Sequence, residues 1–176
     1  MTDRWQIEPI PVLPEDVTAL PEDLESLAAE SRREGYQFVD RMIARWRAGE
    51  FCFDRPGEQF FIVREKGVLV ACGGLSVDPY LSTEDSANPI GRVRHLYVRP
   101  SDRGRGIGRS LLEHILAAGT RHFPIIRLRT TPDAARLYER FGFRSVSDDT
   151  ATHILVTPGP APAAGGVISP SAAVEE

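Results

Sequence analysis

The sequence predicts an α/β (α+β) fold in which a mixed sheet carries helices packed against it. Three observations point there. Apolar residues recur at helical spacing over 24–46. The period then changes, and residues 60–75 read as a hairpin. From residue 92 onward, strand-like and helix-like segments alternate. The expected element order is βααβββαβαββ.

Residues 5–13 (WQIEPIPVL) suggest a short first strand broken by Pro9 and Pro11. Pro21, Glu22 and Asp23 mark a helix start, since proline fits the first turn and acids complement the dipole. Leu20, Leu24, Leu27 and Ala28 fall on one face, and Gly35 is the expected stop. A second helix carries Val39, Met42, Ile43 and Trp46 at i, i+3, i+4 and i+7 and ends at Gly49. Residues 60–65 and 68–75 form a hairpin around a Lys66-Gly67 turn. Gly73-Gly74 predicts a bulge or a close backbone approach. Residues 78–90 read as a polar loop and 92–98 as the next strand. Residues 106–119 form an amphipathic helix with Ile107, Leu111, Leu112, Ile115 and Leu116 facing the core. A strand follows over 125–130. Thr131 is expected to cap a helix with Pro132 at its first position, Ala134, Leu137, Tyr138 and Phe141 inside, and Gly142 as its end. Residues 143–146 and 151–155 finish as a hairpin.

At ~100–200 residues per domain, 176 residues make one domain with a tail. The domain is expected over 1–156. Residues 157–176 are rich in Pro, Gly and Ala and carry too little apolar surface to offset their ordering entropy, so a disordered tail is expected. A hydrophobic fraction of 41% and a charged fraction of 26% are ordinary soluble composition. The net charge of −4 gives no overall attraction to nucleic acid or anionic membrane. Two cysteines and four scattered histidines show no metal-ligand spacing, so no metal is expected. With no signal-like apolar run, the default compartment is the cytoplasm, with both thiols reduced.

The informative stretch is YVRPSDRGRGIGRSLL, residues 97–112. A strand ends at Val98, and a loop with Gly104, Gly106 and Gly108 leads straight into a helix. Glycines let the backbone approach a ligand, and a helix N-terminus offers unpaired N–H groups and a positive dipole end. Arg103, Arg105 and Arg109 add charge, so the stretch suits a phosphate or pyrophosphate. The bland alternative is a glycine-rich turn with solvated arginines. A Walker A loop would need Gly-Lys-Ser/Thr, and the only lysine is Lys66. A dinucleotide fingerprint would need glycine where Arg109 stands.

A third pattern fits. Arg103, Gly106 and Gly108, after a strand and into a helix, resemble the first signature of the GNAT superfamily of acyl-coenzyme A-dependent N-acetyltransferases. Ala134, Leu137, Tyr138, Gly142 and Phe143, about thirty residues on, resemble its second. The resemblance runs over most of 7–156 and is specific within 92–143. It implies a mostly antiparallel sheet whose fourth strand splays from the fifth, and acetyl-CoA as co-substrate in the gap. By resemblance, the backbone of Leu96, Tyr97 and Val98 would hold the pantetheine arm, and the Val98 N–H would polarise the acetyl carbonyl. The loop of Arg103, Gly104, Arg105, Gly106, Ile107, Gly108 and Arg109 would hold the pyrophosphate. Tyr138 would be the general acid for the departing thiolate. The amine attacks the thioester directly, with no covalent enzyme intermediate.

The sequence departs from the family pattern where many members carry a glutamate base; here that position is Arg92. Candidate bases are Glu34, His95, Asp78 and His153, each of which also has an ordinary structural reading. Tyr36 and Tyr80 lie in the segments that shape acceptor pockets in the family. Arg92 and Arg94 either receive an acidic substrate group or pair within the sheet. The expected function is acetyl transfer to a small-molecule or peptide amine, with a homodimer as the family's common assembly. The competing reading is an acyl-CoA-binding sensor or partner subunit of the same fold, favoured by Arg92.

Overall fold

The computed structural model describes residues 5–10, 20–50, 53–81 and 89–158. Its strands are β1 (Gln6–Pro9), β2 (Gln59–Glu65), β3 (Val68–Val77), β4 (Ile90–Val98), β5 (Ile125–Leu128), β6 (Arg144–Ser145) and β7 (His153–Val156). Its helices are α1 (Leu24–Arg33), α2 (Phe38–Arg47), α3 (Ile107–Gly119) and α4 (Pro132–Glu139). The order is the one expected from periodicity. The seven strands share one sheet in the order β1-β2-β3-β4-β5-β7-β6. Every pairing is antiparallel except β4 with β5.

The sheet separates two apolar cores. On one face, Leu24, Leu27, Val39, Met42, Ile43 and Trp46 of α1 and α2 pack on Phe60, Ile62 and Tyr97. On the other, Leu111, Leu112 and Ile115 of α3 pack on Val63, Val70 and Leu75. Each fully buried Leu or Ile is worth ~1.5–3 kcal/mol relative to exposure, so the two amphipathic stripes hold both helical layers in place. Gly119 is where α3 lies tightest on the sheet: a Cβ there would stand 1.8 Å from Leu75 Cδ2. The Lys66-Gly67 turn has φ of 51° and 80°, a left-handed pair that matches the twist of a two-residue hairpin.

Several expectations are corrected. The first strand ends at Pro9, and residues 11–13 lie outside the described residues, as do 82–88 of the polar loop. β5 stops at Leu128, two residues early. Thr131 precedes Pro132 as expected, but its side chain makes no cap hydrogen bond. The N–H groups of Ala134 and Ala135 instead donate to its carbonyl, each at 3.1 Å, so the hydroxyl is not needed.

The expected tail boundary also moves. Thr157 is buried; its N–H donates to the Pro124 carbonyl at 2.9 Å and its hydroxyl to the Phe123 carbonyl at 2.8 Å. The rest of the expected tail, 159–176, lies outside the described residues. At ~0.5–1.5 kcal/mol per net hydrogen bond, cutting after Val156 is expected to cost about 1–3 kcal/mol. Cutting after Pro158 should cost under ~1 kcal/mol. Urea unfolding of the two truncations measures the difference; equal midpoints would show that Thr157 anchors nothing.

Candidate active site

β4 and β5 pair only over Ile90–Arg92 and Ile125–Arg127. Beyond Arg92, β4 runs to Val98 without β5 beside it, leaving about 20 Å of strand edge at ~3.3 Å per residue. The strand's hydrogen-bonding phase decides which groups face that edge. Arg99 N–H donates to the Val70 carbonyl at 2.8 Å, so the Val70–Arg99 pair is hydrogen-bonded and the Ala71–Val98 pair is not. The Val98 N–H and carbonyl therefore face away from β3, toward the open edge. The Val98 carbonyl there accepts from Arg103 Nε at 3.0 Å. Cys72–Tyr97 has the hydrogen-bonded phase. The expectation that Tyr97 joins the open edge is thus corrected: its backbone faces β3 and its ring lies in the α1/α2 core.

A bulge makes this arrangement. Two residues, His95 and Leu96, oppose the single Gly73, and His95 takes a left-handed φ of 58°. The glycine expected to mark an irregularity lies across from it: a Cβ at Gly73 would come within 3.2 Å of Leu96 Cα. The extra residue reverses the alternation. Val93, Leu96 and Val98 pack toward the α3 core, whereas Tyr97 belongs to the α1/α2 core.

The glycine loop meets the C-terminal end of this edge. Gly104 and Gly106 have φ of 74° and 92°, conformations that glycine adopts without steric cost, and Gly106 is the N-cap of α3. The first backbone N–H of α3 with a described acceptor is that of Ser110, bonded to the Gly106 carbonyl at 3.0 Å. Among the described residues, the N–H groups of Gly104 to Arg109 donate to no backbone oxygen. A Cβ at Gly108 would lie 3.5 Å from Val98 Cγ2 and 3.7 Å from Leu137 Cδ2, so the loop sits where β4, α3 and α4 converge. Free donors, a helix dipole and bare glycines fit a diphosphate.

The loop arginines are less available than expected. Arg103 forks onto Glu34 with two bonds of 2.7 Å, and its guanidinium stands 5.5 Å over the Tyr97 ring. Arg105 bridges Asp102 and Glu65. Arg109 makes an exposed contact of 3.8 Å with Glu113. Glu34 is corrected as a base. Its oxygens accept from Arg103 and from the Tyr97 hydroxyl, and the Arg103 hydrogen bond holds its carboxyl below the ordinary range. It ties the end of α1 to the loop.

A cavity of about 480 Å³ opens beside the splayed part of β4. Arg92, Val93, Arg94, His95 and Leu96 form one wall, Phe38, Arg41, Met42 and Arg45 of α2 another, and Tyr80, Arg129 and Tyr138 complete it. Of the expected site residues it gathers Leu96, His95, Arg92, Tyr80 and Tyr138. Tyr36 is exposed and packs on Phe38 with ring centroids 5.6 Å apart; it does not line the cavity. His95 is neutral: burial, then the charges of Arg94, Arg45 and Arg41, lower its pKa to about 3. A group so weakly basic is corrected as a general base at neutral pH. Burial alone pushes the Tyr138 hydroxyl up to about 12.

Arg92 is largely committed. It donates to Asp78 at 3.3 Å and to the Thr150 carbonyl at 2.6 Å, and lies 4.7 Å from the Tyr80 ring centroid. Asp78 also faces Arg127 at 3.3 Å, so its buried carboxylate is held between two guanidinium groups and does not serve as a base. His153 lies away from the cavity, 3.7 Å from Glu139. Reading the sequence missed Arg41, Arg45 and Arg129. A signal existed: Phe38, Arg41, Met42 and Arg45 sit at i, i+3, i+4 and i+7, a helix face hidden by its mixed chemistry. Among the described residues, no cluster of His, Cys, Asp or Glu could hold a metal, and no helix is long and apolar enough to cross a membrane.

A splayed parallel pair, an open strand edge and a glycine-rich helix start together make up the candidate site. Residues 56–145 match the acetyltransferase (GNAT) domain, and the chain belongs to that family. It is 38% identical over 61 residues to an IAA acetyltransferase of Azospirillum brasilense, covering 35% of each chain. The matched region spans about a third of the length of the curated relatives. A crystallised candidate acetyltransferase from Exiguobacterium sp. 255-15 superposes with a TM-score of 0.71 at 29% identity, over 86% of this chain and 93% of that one. Another from Clostridium acetobutylicum, crystallised with acetyl-CoA, shares the fold with a TM-score of 0.59 at 16% identity, over 82% and 92%.

Proposed function

We propose that this domain is an N-acetyltransferase that uses acetyl-CoA and a small amine. The observation that carries the reading is that one strand serves two features: N–H groups from Gly104 to Arg109 with no backbone acceptor among the described residues stand beside the outward Val98 N–H, and a chamber lined by Leu96 and Tyr138 lies further back along β4. The loop amides and the start of α3 hold the pyrophosphate. The open β4 edge at Leu96 and Val98 holds the pantetheine arm. Acetyl-CoA supplies an activated thioester; the nitrogen–carbonyl bond forms, the carbon–sulfur bond breaks, the amine loses a proton and the thiol gains one.

The chain's own residues set up that exchange. Val98 N–H stabilises the developing oxyanion. Tyr138 donates a hydrogen bond to the departing sulfur. No described side chain in the cavity is a strong base, so the acceptor is an amine that loses its proton easily. Deprotonation at pH 7 costs about 4.6 kcal/mol for an alkyl amine of pKa ~10.4 but only about 1 for an α-amine of pKa ~7.8. Coenzyme release followed with a thiol reagent against an amine panel tests the reading. Turnover of α-amines above lysine-like amines is expected; coenzyme binding without turnover of any amine would favour the sensor.

A further inference from the structure

The corner between β4 and α3 is tied to carboxylates outside it. Glu30 in α1 and Glu34 at its C-cap lie four residues apart, on one face. Glu30 pairs with Arg99 at 3.0 Å, and Glu34 receives the fork of Arg103. From the other side, Arg105 reaches Glu65 at the end of β2. The segment that runs into the glycine loop is thus held by α1 and by the β2–β3 hairpin.

Glu34 carries the most bonds of this set. Its Oε1 accepts from Arg103 Nη1 at 2.7 Å. Its Oε2 accepts from Arg103 Nη2 at 2.7 Å and from the Tyr97 hydroxyl at 2.5 Å. The remaining nitrogen of the same guanidinium, Nε, donates to the Val98 carbonyl at 3.0 Å. A planar guanidinium bonded at all three nitrogens is fixed in orientation. The Arg103 side chain therefore closes the chain from Val98 to Arg103 into a ring, with Glu34 as its outside anchor. That anchor is itself fixed. The N–H groups of Glu34 and Tyr36 donate to the Ser31 carbonyl at 3.2 and 3.0 Å, and that of Gly35 to the Arg32 carbonyl at 2.9 Å.

Electrostatics alone argues against a carboxylate here. Glu34 lies at the negative end of the α1 dipole, where cations are favoured. It also occupies both terminal nitrogens of an arginine in a loop that suits a diphosphate. The gain that offsets both costs is geometric, because a loop held in its bound shape is ordered before the ligand arrives.

We propose that Glu34 is a positioning residue of the coenzyme site. Through Arg103 it holds the β4–α3 corner in the shape that receives the diphosphate, and it strengthens coenzyme binding although it carries a negative charge. The proposal rests on the acetyltransferase reading and adds to it a residue outside the loop and the strand.

The sign of the effect separates the roles. Glu34→Gln keeps the size of the side chain and removes its charge. A carboxylate that only repels the diphosphate would, once removed, leave coenzyme A bound more tightly. One that only stabilises the fold would lower the melting temperature and leave the affinity, measured well below it, unchanged. Positioning predicts weaker binding. Calorimetry with coenzyme A is expected to show about a fivefold loss, ~1 kcal/mol. KM for acetyl-CoA should rise about fivefold, with kcat at saturation within about twofold. Arg103→Lys keeps the charge but cannot fork, and should weaken binding to a similar extent. The double variant should be no more than about twofold worse than the worse single one, since both act through one contact. Glu25→Gln removes an exposed ion pair with Arg47 at the other end of α1 and should leave the affinity unchanged. Where the wild-type protein binds coenzyme A, affinity decides. Unchanged or tighter binding by Glu34→Gln, or fully additive losses in the double variant, overturns the proposal and leaves the acetyltransferase reading standing. If the wild-type protein binds no coenzyme A, that reading fails and amide hydrogen exchange decides alone. The Asp102 and Ser110 amides close the corner and the first turn of α3. Exchange there at least about threefold faster in Glu34→Gln sustains the positioning role, and equal exchange overturns it.

Discussion

Replacing Gly108 by glutamate is expected to weaken coenzyme A binding at least about a hundredfold, with the melting temperature unchanged or slightly raised. The loss corresponds to about 2.7 kcal/mol. A carboxylate held ~4–5 Å from a phosphate at an effective dielectric constant of ~20 supplies about 3–4 kcal/mol of repulsion. The fold itself should not object. A Cβ at Gly108 meets Val98 and Leu137 at ordinary contact distances, and the position lies in the first turn of α3. Glutamate there is a better helix former than glycine and favours the positive end of the dipole. The substitution therefore separates binding from folding, which Gly106→Val does less cleanly, because valine would be strained at a φ of 92°. Calorimetry with coenzyme A is the measurement. Unchanged affinity in a folded Gly108→Glu variant would sink the phosphate-loop assignment.

That loop was legible because its signal is local. Three alternating glycines before an amphipathic stripe specify a turn, a helix start and free N–H groups within a few residues. What surrounds it was not. Glu34 reaches Arg103 across 69 residues and Glu65 reaches Arg105 across 40, and no periodicity reports a partner that distant. Two of three loop charges are consumed in this way, so the loop depends more on its amides than on its arginines. The layout of β4 was hidden for another reason. Alternation assigns faces only while the pleat is unbroken, and the bulge at His95 reverses it. Residues 92–94 and 96–98 then point by different rules, so Leu96 and Val98 join Val93 on the α3 side while Tyr97 joins the α1/α2 core. The two apolar cores followed directly from helical spacing. The cavity face of α2 did not, because its stripe mixes Phe38 and Met42 with Arg41 and Arg45 and does not read as a buried face.

The second large effect is expected at Tyr138. Tyr138→Phe should lower kcat at least about tenfold while leaving coenzyme affinity and melting temperature nearly unchanged. Tyr138 is 7% exposed, packs edge-on against Phe143 with centroids 5.9 Å apart, and lines the cavity. Phenylalanine keeps that ring and its packing, so only the hydroxyl is tested. Burial pushes the hydroxyl pKa up to about 12, well above the ~8.5 of a free thiol. Full proton transfer to the departing sulfur would then be uphill. On the proposed reading the hydroxyl serves as a hydrogen-bond donor rather than a full acid, and general-acid help of ~10²–10⁴ is an upper range for what it would contribute. The raised pKa also sets a sign for pH dependence. A group protonated below about 12 gives no falling limb in kcat between pH 7 and 10, whereas a phenol at the ordinary ~10 would begin to show one. Stopped-flow or steady-state kcat over that range, for both proteins, checks each statement. A phenylalanine variant with full kcat would return Tyr138 to a packing role and leave water as the proton source. A falling limb near pH 9 that disappears in the variant would keep the role but contradict the buried, high-pKa hydroxyl.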